Sequence, residues 1–115
     1  MATGTINKIK TTSVTIMSTD TAADSAGKFE FTDIPIYKFN QLVLIGYRGT
    51  DSGGNRFAVI IPMSVIGNGD TMIPMAVGTE NGVMTFSLNS TQLNLMFRGI
   101  SSYDTLHIKK IIGEF

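Results

Sequence analysis

Few residues of this chain are equipped for chemistry. His107 is the single histidine, and the 115 residues contain no cysteine. Thiolate nucleophiles, thiolate metal sites and disulfides are therefore excluded. His107 sits between Leu106 and Ile108 in an alternating strand pattern, on a face expected to hold Lys109 and Ile111, and reads as a solvent-facing strand residue. Ser101, Asp104 and His107 formally compose a Ser-His-Asp set. They lie within seven residues of one another, however, and lack the strand-turn-helix elbow that exposes a nucleophilic serine. The acids are scattered over loops and ends from Asp20 to Glu114, so spacing supplies no carboxylate pair for glycoside hydrolysis. Asp51 with Asn55, and Asn68 with Asp70, supply oxygens of the kind calcium takes, but neither loop follows the twelve-residue calcium-hand pattern, and turn formation is their ordinary role. Gly53 and Gly54 are followed by neither Lys-Ser nor Lys-Thr, which excludes a phosphate cradle. No catalytic residue, metal ligand or cofactor is assigned, and the chain reads as non-enzymatic.

Residues suited to binding are easier to find. Tyr47, Arg48, Asp51, Asn55 and Arg56 flank or occupy a glycine-rich connection, with Tyr103 and Asp104 in a serine-rich one. Aromatic faces and forked donors at strand ends suit contacts to sugar or protein. The loop from Tyr47 to Arg56 is the first candidate for a ligand, and Tyr103 with Asp104 the second.

The elements that must position these residues are strands. Met84, Phe86, Leu88, then Leu93, Leu95, Phe97, then Leu106, Ile108, Ile112 recur at period two between polar turn clusters. Leu42 to Ile45 and Phe57 to Ile61 are unbroken apolar runs, the pattern of strands buried on both faces, one face on a core and the other on a neighbouring subunit. Gly49 to Asn55 joins them as a hairpin. Phe29 to Ile36 alternates before Pro35, as an edge strand does. Pro62 ends the Phe57 strand, Gly67 to Asp70 turns the chain, and Met72 to Val77 is a short strand interrupted by Pro74. Asn81-Gly82 is the strongest two-residue hairpin signal and feeds Val83 to Leu88. Asn89 to Gln92 and Ser101 to Asp104 are further turns. Residues 5–16 read as an extended arm or two short strands, and 18–28 as a polar loop. The sum is one all-β domain over residues 1–115, an antiparallel, jelly-roll-like β-sandwich of seven or eight strands, with residues 1–28 an N-terminal arm and loop.

Composition narrows the partners. Nine basic and nine acidic side chains cancel, so no global field steers the chain to nucleic acid or an anionic membrane. No apolar run reaches membrane-spanning length, and no secretory leader pattern is visible, so a cytoplasmically made chain without membrane insertion is expected. With 43% apolar and only 16% charged residues, the chain is greasier than an average domain, and we expect an oligomer that covers apolar surface. The seven methionines fit core or subunit contacts as gap fillers.

Three segments carry a resemblance. Residues 38–45, from Lys38 through Phe39-Asn40-Gln41 into Leu42 to Ile45, are followed by Ala58 to Ile66, with Ile61-Pro62 at its centre, and then by Leu106 to Gly113. In this order they resemble the small C-terminal β-sandwich domain of bacteriophage tail-fibre and minor structural, receptor-binding proteins. Ile112 stands where that family usually carries tyrosine. The resemblance implies a virion component, a homotrimeric tail-fibre or head-fibre tip that contacts other virion proteins and binds a host glycan or protein, or decorates the particle. A bacterial carbohydrate-binding or adhesin module is the alternative, which the absence of tryptophan fits less well.

Overall fold

A computed structural model describes residues 12–34, 39–63, 71–89 and 91–115. They form two antiparallel sheets packed as a β-sandwich. The strands are β1 (Ser13–Met17), β2 (Thr21–Ala22), β3 (Lys28–Phe31), β4 (Gln41–Arg48), β5 (Arg56–Pro62), β6 (Thr71–Val77), β7 (Glu80–Asn89), β8 (Gln92–Arg98) and β9 (Leu106–Glu114). There are thus nine strands among the described residues, because the stretch expected to be loop, 18–28, holds the two-residue β2 and the start of β3. The first sheet runs β5-β4-β9, with β1 and β2 both pairing on the far side of β9. The second runs β6-β7-β8-β3. No helix among the described residues is long and apolar enough to cross a membrane.

Alternation builds the core. Leu42 and Leu44 of β4, Phe57, Val59 and Ile61 of β5, and Leu106, Ile108 and Ile111 of β9 point inward from the first sheet. Phe29 and Phe31, Met84 and Phe86, and Leu93, Leu95 and Phe97 meet them from the second. Phe97 ties the layers together, its ring edge-on to Phe29 of its own sheet at 5.6 Å and to Phe57 of the opposite sheet at 5.9 Å. Each such side chain stabilises the fold by roughly 1.5–3 kcal/mol on burial, which outweighs the modest strand propensities.

Several expectations hold. β3 is an edge strand, β4 and β5 form the expected hairpin, β5 ends at Pro62, and β7 pairs with β8 up to Asn89 opposite Gln92. Pro35, the Gly67–Asp70 turn and residues 5–11 of the arm lie outside the described residues.

β4 and β5 bury one face on the core; on the other, Val43 and Ile45 are half-buried and Ile60 is 52% exposed, so within one chain the face on which a neighbouring subunit is expected is uncovered. Three expectations are corrected. Pro74 does not interrupt β6, because β6 is the edge of its sheet, where a residue without an N–H is tolerated. The hairpin turn before β7 is Gly78-Thr79 rather than Asn81-Gly82. Gly78 takes φ +62° while Thr79 keeps a negative φ, the pattern of a II′ turn. Gly82 lies inside β7 for a packing reason, since a Cβ there would stand 2.6 Å from the carbonyl oxygen of Arg98. Last, β9 is not one alternating run. Ile45 pairs with Lys110 and Gly46 with Ile108, leaving Lys109 as a bulge. The extra residue shifts the phase, so Ile111 is fully buried and Ile112 faces outward, and His107 does not share a face with Ile111.

Candidate functional site

The register gathers three connections, 49–55, 78–79 and 99–105, with the turn at 24–27, at one end of the sandwich. Residues 12, 89, 91 and 115 lie at the other end. All seven residues expected to bind a ligand belong to the first end, and the structure shows what each touches.

Arg48 points between the sheets, where its guanidinium pairs with Glu80 at the start of β7 and donates to Ser101 Oγ at 2.8 Å. Glu80 also accepts from the backbone N–H of Ser101 at 3.2 Å. Two sheets and the 99–105 connection are thereby clasped at one carboxylate. The hydrogen bonds from Arg48 and Ser101 hold the Glu80 carboxyl below its ordinary value. Ser101 is spent in this clasp and does not meet His107, so the formal Ser-His-Asp set is not assembled.

Asp51 accepts from Arg56 Nε at 2.8 Å and from Lys109 Nζ at 2.9 Å, and these two cations lower its pKa. The bulge in β9 carries Lys109 into that pairing. Asn55 Nδ2 donates to the Thr50 carbonyl at 3.2 Å and to Ser52 Oγ at 3.3 Å, which stabilises the short 3-10 turn Gly53–Asn55. Tyr103 is half-buried against the core, and its hydroxyl accepts from the Gly99 N–H at 3.2 Å. Asp104 is exposed.

A third cluster sits on the outer face of the first sheet. Tyr47 and His107 are directly opposed on β4 and β9, their rings stacked with centroids 4.7 Å apart and planes 5° from parallel. Asp20, just before β2, accepts from the Tyr47 hydroxyl and lies 2.8 Å from His107 Nδ1. The Tyr47 bond lowers the Asp20 pKa most, with His107 adding to it, and Asp20 in return pushes the Tyr47 phenol up to about 12. The face of Tyr47 that lies on His107 is closed to a ligand. His107 with Asp20 is the geometry of a base and its orienter, yet among the described residues no hydroxyl is hydrogen-bonded to His107.

Asp20, Glu80 and Lys109 were not anticipated as partners. Alternation places Tyr47 and His107 outward, but their meeting depends on β4 and β9 being neighbours, a pairing of segments about sixty residues apart that no local pattern encodes. The single legible signal was an aromatic and a histidine at outward positions.

The remaining surfaces differ between the sheets. On the first, Ile60, Val43 and Ile112 are consecutive cross-strand partners on the outer face, with Ala58 and Ile45 in the next row. On the second, Lys28, Met96 and Thr85 form one cross-strand row and Glu30, Asn94 and Ser87 the next. A groove of about 700 Å³ lies over these rows, bounded by residues 21–24 where the chain passes from one sheet to the other. No family, curated protein or solved structure matches the chain.

Proposed function

We propose that this chain is a non-enzymatic structural protein of a bacteriophage virion, a tail-fibre or head-fibre knob that self-associates through its β5-β4-β9 sheet. The single observation that supports this reading most is the apolar row of Ile60, Val43 and Ile112 on a sheet face turned away from the core. Ile60 is 52% exposed at its centre of strand, where a sandwich face left to solvent normally carries polar residues. Three copies that set this face toward a common axis bury the row, and leave the connection end and the second sheet outward for a host surface. The sequence resemblance of residues 38–113 to phage knob domains supports the virion assignment, and balanced charge favours a protein or sugar partner over nucleic acid.

The test is solution mass by light scattering on the eluting chain. A mass three times the 12.4 kDa of one copy supports the knob. A single-copy mass at all concentrations removes the self-association on which the reading depends.

A further inference from the structure

We infer that the groove over the β3-β8-β7 face is a binding site for an uncharged, polyhydroxylated chain, a neutral glycan. This names a ligand and a place for the recognition role proposed above. It stands on observations separate from those that suggest self-association.

The volume, about 700 Å³, lies within the range of ligand sites, about 300–1,000 Å³. Its floor is two adjacent three-strand rows, Lys28–Met96–Thr85 and Glu30–Asn94–Ser87. The charges that line or touch it balance, Lys28 and Arg98, whose guanidinium lies 3.3 Å from the Met96 sulfur, against Glu30 and Asp24, so it offers no net field to a phosphate or sulfate chain. What it does offer is paired donors and acceptors. Gln92 Nε2 donates to Glu30 Oε1 at 3.1 Å and to Asn94 Oδ1 at 3.2 Å. With Oδ1 accepting, Asn94 presents its two N–H donors. Ser87 makes no side-chain hydrogen bond among the described residues and retains both donor and acceptor capacity.

Thr85 is the second, independent pointer. It is the one buried polar residue among those described, 6% exposed although it faces away from the core. Its hydroxyl has a single long bond, 3.4 Å to the Met96 carbonyl, so a covered polar group is weakly satisfied. A ligand hydroxyl completes it. Met96, between Lys28 and Thr85, supplies a polarizable apolar patch for the C–H face of a sugar ring. Neighbouring hydroxyls above an apolar ring face match this floor in chemistry and in its lack of net charge.

The test uses the full chain on an array of immobilised neutral oligosaccharides of glucose, galactose, mannose, rhamnose and N-acetylglucosamine, with phosphate- and sulfate-bearing glycans alongside. We expect retention on at least one neutral glycan. Asn94→Ala and Ser87→Ala should each weaken it roughly tenfold, the effect of one lost ligand hydrogen bond, whereas Lys110→Ala on the opposite sheet retains it. Both groove positions face outward, and unchanged thermal melting confirms that the variants fold. Retention only on charged glycans, retention on none, or equal binding by the groove variants overturns the inference. Because mass is read separately, a trimer that binds no neutral glycan removes the groove and leaves the knob, and a glycan-binding monomer does the reverse.

Discussion

The two sheets bury the same kind of side chain and turn different chemistry outward. Inward, each presents Leu, Ile, Phe and Val at every second position. Outward, the first sheet shows a row of Ile60, Val43 and Ile112, and the second shows Glu30, Asn94 and Ser87 in a row of the same geometry. Period-two alternation fixes which positions leave the core, but their content is free of folding constraint, so it reports what the surface is for. An apolar row is consistent with a face covered by another copy; a row of amide, hydroxyl and carboxylate is consistent with one open to a polar ligand. Between the two faces lies the connection end, where Arg48 is spent on Glu80 and Arg56 on Asp51, while Asp20 is spent on Tyr47 and His107.

The comparison is open to attack at several strengths. The largest effect tests the core that both sheets share: Phe97→Ala should destabilise the protein by about 3–5 kcal/mol in urea unfolding monitored by circular dichroism, because its ring meets Phe29 and Phe57 at once. A loss confined to a few tenths would mean that the sheets do not share one core. Next, Ile60→Arg should lower the light-scattering mass toward one copy while Ser87→Arg leaves it unchanged, and equal behaviour of the two would erase the distinction between the faces.

Smaller effects belong to the connection end. Glu80, Asp51 and Asp20 have folded-state pKa values below their ordinary ones. Their contribution to stability is therefore present above the ordinary value, 4.5 for Glu80 and 3.8 for the two aspartates, and is lost as pH falls through the lowered ones. Melting temperature should fall as pH drops below that window, and Glu80→Gln should flatten the decline. Tyr47 has the opposite sign. Its raised phenol pKa, about 12, gives stability present below pH 10 and lost as pH rises through 12. Absorbance titration at alkaline pH should find one tyrosine ionising late, and Asp20→Asn should return it toward 10.

Much of this fold is written in local pattern. Leu93, Leu95 and Phe97 announce their strand, and Gly49 to Asn55 its hairpin, because alternation and turn chemistry act over a few residues. Asn81-Gly82 misled because the same dipeptide serves either a turn or a close approach, and only the carbonyl of Arg98 beside Gly82 decides between them. Strict alternation from Leu106 puts Ile112 inward, and only the bulge at Lys109, set by pairing with β4, turns it out. The candidate residues were correctly gathered at strand ends, but their partners Asp20 and Glu80 come from distant segments. The groove on the second sheet is illegible for the same reason, since β3, β8 and β7 contribute two residues each and none is distinctive alone.

Lys109 has a consequence for how this sequence tolerates changes in length. Removing it gives a strand in which Ile108 is followed by Lys110 and then Ile111, a run that alternates without interruption. Leu106, Ile108 and Ile111 keep their inward phase, and Gly46 and Ile45 meet Ile108 and Lys110 as consecutive rungs. The sheet loses local twist and the reach to Asp51, and the pairings of Met17 with Ile111 and Thr21 with Ile108 on the far side of β9 draw one residue closer. An insertion or deletion in a central strand ordinarily inverts everything beyond it. Here one codon in the middle of β9 is an optional letter, and the hydrophobic message on either side reads the same with it or without it.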